Sequence, residues 1–83
     1  MAERNTFHLV IASVGETRFD GPALSATFPG AGGEMTVLAH HEPLVTTLKG
    51  GNITVHDASG ESKNFPVENG VLEISGNRAV VLL

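Results

Sequence analysis

Residues 52–65 read Asn-Ile-Thr-Val-His-Asp-Ala-Ser-Gly-Glu-Ser-Lys-Asn-Phe and carry the clearest structural signal in the chain. Apolar and polar side chains alternate over Asn52–His56, which is the period-2 pattern of a strand with one buried face. Asp57-Ala58-Ser59-Gly60 supplies the polar and glycine residues of a hairpin loop. Ser62–Phe65 continues as a second strand, so this segment predicts an antiparallel β-hairpin.

The same pattern of short apolar stretches extends in both directions along the chain. Phe7–Ile11 alternates, and Ala23–Phe28 is predicted to place Leu24, Ala26 and Phe28 on its inward face. Ten glycines and four prolines fall between the apolar stretches rather than inside one long periodic segment. The remaining predicted strands are Thr17–Phe19, Glu34–Leu38, Leu44–Leu48, Val71–Ile74 and Arg78–Leu83.

Two segments rich in glycine and proline are predicted to interrupt these strands. Asp20-Gly21-Pro22 has the composition of a turn, and Pro29-Gly30-Ala31-Gly32-Gly33 is predicted to be a loop because proline and glycine weaken a strand interior. No stretch of ten or more residues has apolar residues at the i, i+3, i+4, i+7 spacing of an amphipathic helix. Nine or ten short strands in one domain, residues 1–83, predict an all-β fold, an antiparallel β-sandwich or flattened barrel.

The composition excludes several classes of protein. The chain has no cysteine, which excludes disulfides and thiolate metal sites. Five Lys and Arg against nine Asp and Glu give a net charge of −4, without the clustered cations that bind nucleic acid. The longest apolar run is Ala79–Leu83, far below the roughly 20 residues of a membrane-spanning helix. We expect a soluble protein with no nucleic-acid partner and no direct membrane insertion.

His40-His41-Glu42 is the densest group of potential metal ligands. Adjacent residues of an extended segment point to opposite faces, so His40 and His41 can share an ion only if the backbone turns there. His8 and His56 belong to other predicted strands. The chain also lacks a G-x-S-x-G nucleophile motif and the Lys-Ser/Thr pair of a phosphate-binding loop. We therefore predict no catalytic site, no cofactor and no bound metal.

A series of motifs occurs in a fixed order over almost the whole chain. They are Phe7–Ile11, Phe19-Asp20-Gly21, Gly33–Leu38, His41–Gly51, Asn69–Ile74 and Asn77–Leu82. In this order they resemble the epsilon subunit of F-type ATP synthases, the counterpart of the mitochondrial delta chain. The resemblance covers the family's N-terminal β-sandwich, and the C-terminal helical hairpin of many members has no counterpart in these 83 residues.

The resemblance implies a non-catalytic central-stalk subunit that docks on the gamma subunit and the c-ring. Such a subunit couples ion-driven rotation to ATP synthesis or hydrolysis, and it is held at the cytoplasmic face of the bacterial inner membrane through the complex. By position, Glu34 and His41 match family residues that face the ring, which implies a role as partner contacts. Two departures lie nearby: Ala39-His40 stands where the family commonly has Pro-Gly, and Thr36 stands where it has Gly.

Two other functions remain as alternatives. A small ligand-binding β-sandwich, such as a carbohydrate-binding module, normally stacks sugars on exposed Trp or Tyr, and this chain has neither. A cupin-like metal-binding protein would use His40, His41 and Glu42 with another histidine, and it requires at least three ligands on one face.

Overall fold

A computed structural model describes residues 5–83, which form eight β-strands and no helix, and hence no helix that could cross a membrane. The all-β prediction is confirmed, with eight strands in place of the nine or ten expected. The strands are β1 Phe7–Ser13, β2 Glu16–Gly30, β3 Gly33–Leu38, β4 Leu44–Leu48, β5 Gly51–Asp57, β6 Ser62–Val67, β7 Gly70–Ser75 and β8 Arg78–Leu82.

The lower count arises because β2 runs without a break through one of the two segments that we predicted to interrupt it. Asp20-Gly21-Pro22 is not a turn: these residues pair with β1, with Pro22 opposite His8. The strand accommodates proline because Pro22 is exposed and its carbonyl still accepts a hydrogen bond from the Ala58 N–H at 3.3 Å. The predicted loop at residues 29–33 shrinks to the two-residue hairpin turn Ala31-Gly32 between β2 and β3.

Glycine is required at position 30 by a close approach of the two arms of this hairpin. A Cβ atom at Gly30 would lie 2.7 Å from the Gly33 carbonyl oxygen. Real Cβ atoms essentially never approach another heavy atom so closely, so a larger residue would push the hairpin apart. Gly30 therefore serves the close packing of this hairpin.

A register shift in β2 changes which side chains face the core. The pairing with β5 passes from Ala23 opposite Asp57 to Ser25 opposite His56, so Leu24 is an extra residue in the ladder. A bulge of this kind reverses the in–out alternation. Ala23 is consequently buried while Leu24 is only half-buried, and the prediction that Leu24 points into the core was wrong.

The long strand β2 joins the two halves of the molecule. Its first half pairs with β1, and its second half lies between β3 and β5, with β6 beyond β5. On the other side, β1 pairs in parallel with β8, and β7 and β4 follow in antiparallel order. A bridge between Gly30 and Leu48 brings β4 back to β2 and closes a flattened ring of strands.

One hydrophobic cluster fills the space inside this ring. Its members come from all eight strands, and the largest fully buried side chains are Phe28, Leu9, Ile11, Ile53, Leu72, Val37, Val55 and Val81. Within the described residues no polar or charged residue is buried. The core is therefore held by apolar packing alone, with the polar groups on the surface and at the turns.

Candidate functional site

The segment between β3 and β4, residues 39–43, carries the clustered histidines. The backbone turns at Ala39-His40, and His40 has a φ of 64°. Left-handed backbone is uncommon for a residue with a side chain. The His40 N–H donates a hydrogen bond of 2.7 Å to Oδ1 of Asn77, which fixes this turn against the β7–β8 turn.

Asn77 contacts two separate parts of the chain, the β3–β4 turn at His40 and the start of β1 at Thr6 and His8. Its Nδ2 donates to the Thr6 carbonyl at 3.0 Å, and its own carbonyl accepts from the His8 N–H at 3.2 Å. Asn77 also has a positive φ of 59°, which asparagine tolerates better than most residues. We call Asn77 and its partners Thr6, His8 and His40 the Asn77 junction.

His41 follows the junction and is half-buried. Its Nδ1 lies 2.8 Å from the Glu42 carbonyl oxygen. A carbonyl oxygen can only accept, so Nδ1 carries the proton, and in the neutral ring Nε2 presents a lone pair. His41 therefore offers an oriented hydrogen-bond acceptor.

Glu34 lies near the start of β3, opposite Pro29, and is exposed. Four strand steps separate it from Leu38, about 13 Å at roughly 3.3 Å per residue, and His41 comes after the following turn. The structure does not join Glu34 and His41 through a hydrogen bond. Within the described residues, the Glu34 carboxylate forms neither a hydrogen bond nor an ion pair, so it is available to an external donor.

The histidines are not arranged as a metal site. His8 pairs with Asp20, with 2.6 Å between Nε2 and Oδ1, on the outer face of β1 and β2. In the part of the chain that the structure describes, no three His, Asp or Glu side chains are grouped so that they could hold a metal ion. The cupin-like alternative built on His40, His41 and Glu42 thus finds no ligand set, although the backbone does turn between the two histidines.

A second surface was not predicted from the sequence. Val45, Val71 and Leu82 lie on neighbouring strands β4, β7 and β8 and are 67%, 41% and 59% exposed. Val71 is directly opposite Leu82, and Val80 lies two pairs away along β8, opposite Glu73. We call these four residues the apolar outer face. The sequence feature that could have revealed the apolar outer face is an interruption of the apolar–polar alternation. The strands β4, β7 and β8 each contain adjacent apolar residues, which is typical of strands that are apolar on both faces.

Comparison with known proteins connects this chain to one family. Residues 6–83 match the family model described as ATP synthase, Delta/Epsilon chain, beta-sandwich domain. The ATP synthase epsilon chain of Delftia acidovorans is 35% identical over 78 residues, covering 94% of this chain and 56% of that one. The epsilon chain of Mesorhizobium japonicum is 50% identical over 50 residues, covering 60% and 37%. The chain spans about half the length of the Delftia relative.

Solved structures show the same fold. A chain in the cryo-EM structure of the Euglena gracilis mitochondrial ATP synthase, OSCP/F1/c-ring, aligns with a TM-score of 0.88 at 22% identity, covering 94% of this chain and 50% of that one. A chain of the Tetrahymena thermophila mitochondrial ATP synthase, central stalk/c-ring, aligns with a TM-score of 0.77 at 11% identity, covering 98% and 65%. At these identities the likeness is one of fold.

Proposed function

This chain belongs to the ATP synthase delta/epsilon family as its β-sandwich domain, and we propose that it is a non-catalytic part of the central stalk that contacts the gamma subunit and the c-ring. The family match over residues 6–83 carries this proposal. In this role the domain helps to couple ion-driven rotation to ATP synthesis or hydrolysis. It lies at the membrane periphery through the complex, at the cytoplasmic face of the inner membrane in a bacterium.

The architecture supports a mechanical role. A rotor element has to resist deformation, because torque applied to a soft element is stored rather than passed on. Closure of the strands by the Gly30–Leu48 bridge leaves few free strand edges, and a single apolar cluster packs against all eight strands. Protein interiors of this kind are close-packed and have low compressibility.

The apolar outer face is the surface that we assign to the gamma subunit. Directly opposite side chains of neighbouring strands lie about 4.5–5.5 Å apart, so Val71 and Leu82 form an apolar pair. Val80 extends this pair along β8, and Val45 lies on the far side of Glu73. Contiguous apolar patches on soluble proteins mark interaction sites. A protein subunit with a complementary apolar surface removes this area from water on docking.

Glu73 adds a polar requirement to this interface. It lies opposite Val45 on one side and Val80 on the other, in the middle of the apolar outer face. Within residues 5–83 its carboxylate has no ion-pair partner. Burying an unpaired carboxylate is unfavourable, so the docking surface of gamma places an Arg or Lys side chain opposite Glu73.

We assign the ring contacts to Glu34 and His41, as the motif positions imply. Glu34 offers a carboxylate and His41 offers the Nε2 lone pair, and both accept hydrogen bonds from Arg or amide side chains of ring loops. A stretch of extended strand lies between the two acceptors. Two contacts that are apart resist rotation of the domain on its partner better than a single contact does.

Co-elution with the gamma subunit of the same organism on a sizing column tests the central-stalk proposal. We expect a stable one-to-one complex. The double variant Val71→Thr/Leu82→Thr places a β-branched residue, which suits a strand, at each site. It should raise the dissociation constant of the complex about tenfold, equivalent to about 1.4 kcal/mol. Val14→Thr is the matched control, because Val14 is fully exposed in the β1–β2 turn outside the apolar outer face. A folded chain that never binds gamma contradicts the proposal.

Proton-driven ATP synthesis in membranes tests the ring contacts. The double variant Glu34→Ala/His41→Ala should retain the fold, because Glu34 is exposed and His41 is bonded only to its neighbour Glu42. It should retain gamma binding and lose coupling between proton flow and ATP synthesis. Unchanged ATP synthesis in membranes that carry both substitutions contradicts this assignment.

A further inference from the structure

We propose that Asn77 is a positioning residue that holds the His41 loop and transmits load from it to the sheet that bears the apolar outer face. The inference rests on the proposed function, because it concerns how a ring contact at His41 is coupled to a gamma contact on β7 and β8. It assigns no direct partner contact to Asn77 itself.

The hydrogen bonds of the Asn77 junction require the side chain of asparagine. Oδ1 accepts from the His40 N–H while Nδ2 donates to the Thr6 carbonyl, at 2.7 and 3.0 Å. A primary amide accepts and donates at the same time in fixed geometry, whereas an ionised aspartate can only accept. The bonds reach 37 and 71 positions along the sequence, so they connect elements that no local turn joins.

The backbone of the junction is itself held in an unusual conformation. Both His40 and Asn77 have positive φ, at 64° and 59°. Such conformations persist for a residue other than glycine where surrounding contacts determine them. The bond between these two residues supplies that contact, and it places His41 directly after a fixed point of the backbone.

The junction leads straight into the sheet. Thr6 precedes β1, and the His8 N–H bonds to the Asn77 carbonyl, so β1 is attached at its first residues. Arg78 follows Asn77 and begins β8, which pairs in parallel with β1 from His8 to Ala12. A force on the His41 loop therefore enters β1 and β8 together and continues along β8 to Leu82 on the apolar outer face.

The test compares Asn77→Gly with the matched control Asn69→Gly. Glycine preserves the positive φ at position 77 and removes both side-chain bonds. Asn69 lies in the exposed turn between β6 and β7, where within the described residues its side chain makes no hydrogen bond. Asn77→Asp is a second variant, which keeps the acceptor for the His40 N–H and removes the donor to the Thr6 carbonyl. It replaces Asn77→Gly in the test if that variant does not fold.

Three readouts separate positioning from mere stability: thermal melting, amide hydrogen exchange at His40, and proton-driven ATP synthesis in membranes containing the full complex. We expect Asn77→Gly to raise the His40 exchange rate at least tenfold at a temperature where the fold is intact, and to lower ATP synthesis while gamma binding persists. Asn69→Gly should change neither. Asn77→Asp should leave His40 exchange slow and still lower ATP synthesis, because the side-chain bond to the Thr6 carbonyl is lost.

The possible failures are distinguishable. Unchanged His40 exchange in Asn77→Gly overturns the inference, since the loop is then held by other contacts. Faster His40 exchange in Asn77→Gly with normal ATP synthesis also overturns the inference, provided that Glu34→Ala/His41→Ala does lower ATP synthesis. In that case the proposed function stands. If the Glu34/His41 variant has no effect either, the ring contacts fail together with the load path. Equal losses in Asn77→Gly and Asn69→Gly mean a general stability effect and overturn the inference as well.

Discussion

Two polar turns of this domain are organised by opposite means. In the β5–β6 turn, Asp57 Oδ1 accepts hydrogen bonds from the Ser59 N–H, the Ser59 hydroxyl and the Glu61 N–H at 2.9, 2.6 and 3.0 Å. Lys63 Nζ lies 3.6 Å from the other carboxylate oxygen. Every partner of the Asp57 carboxylate belongs to the same hairpin, so these side-chain bonds form together with the hairpin.

The Asn77 junction has partners in two distant segments, the start of β1 and the β3–β4 turn, and can form only after they assemble. Bringing residues together across 37 and 71 positions requires closure of long loops, whose entropic cost rises with their length. Equally polar turns therefore contribute differently: Asp57 stabilises one hairpin, whereas Asn77 joins elements of the tertiary structure.

The largest loss of stability is expected from core substitutions, which should destabilise the β5–β6 hairpin and the β7–β8 hairpin equally. Ile53→Ala in β5 and Leu72→Ala in β7 each delete a fully buried side chain and should lower the free energy of unfolding by about 2–5 kcal/mol. Because one core supports both turns, amide exchange should accelerate in both hairpins together. Protection that survives in one hairpin alone would show two independent folding units.

Leu24→Ala serves as the control for this experiment. Leu24 is only half-buried beside the bulge in β2, so its truncation should lower the melting temperature less than Ile53→Ala does. A loss equal to that of Ile53→Ala would mean that Leu24 is a core residue after all.

The next effect concerns the Asn77 junction. Asn77→Gly should lower the free energy of unfolding by about 1–2 kcal/mol through the loss of its side-chain hydrogen bonds. Asn77→Ala should lose roughly a further 1 kcal/mol because alanine disfavours a φ of 59°. Urea denaturation of the three chains gives the order wild type, glycine, alanine. Alanine equal to glycine would show that the backbone relaxes at this turn.

The Asp57 turn should show a smaller, pH-dependent effect. The Ser59 hydroxyl bond, with the backbone N–H groups of Glu61 and Ser59 and the charge of Lys63, lowers the pKa of Asp57 below its ordinary value of 3.8. A lowered pKa in the folded state stabilises the fold above about pH 4, and this contribution is lost as the pH falls through the folded value. Asp57→Asn should melt below wild type at neutral pH, and the difference in melting temperature should narrow as the pH falls below about 4. A difference that does not change with pH would show that the charge does not matter.

The smallest effect on stability is expected on the apolar outer face. Val45→Thr replaces an exposed side chain by another β-branched residue and should change the free energy of unfolding by less than about 0.5 kcal/mol. The same change should weaken gamma binding, as measured by titration calorimetry. Unchanged gamma affinity would move the docking surface away from β4.

The hairpins could be predicted because their signals are local. Alternation in Asn52–His56 and the turn residues after it describe β5 and β6 almost to the residue. The bulge at Leu24 was not predictable, since it depends on the register against β5. Asp20-Gly21-Pro22 has turn chemistry, yet pairing with β1 keeps it extended.

The candidate site likewise has residues that the sequence predicted and residues that only the structure revealed. Glu34 and His41 were predicted from the order of motifs, and their partner contacts remain a prediction. The Asn77 junction and the apolar outer face were missed. Nothing near Asn77 in the sequence names Thr6 or His40 as partners, and the apolar runs of β7 and β8 do not reveal which residues face outward until the strands have paired.

The sequence by itself determined an all-β chain, most of its strands and the family to which it belongs. These follow from the alternation of neighbouring side chains, from turn chemistry and from motif order, all of which act over a few residues. The tertiary structure decided the continuity of β2, the parallel pairing of β1 with β8, the exposed aliphatic face and the junction at Asn77. The physical reason is that register and long-range hydrogen bonds depend on where distant segments meet, which the closure of the whole ring of strands sets.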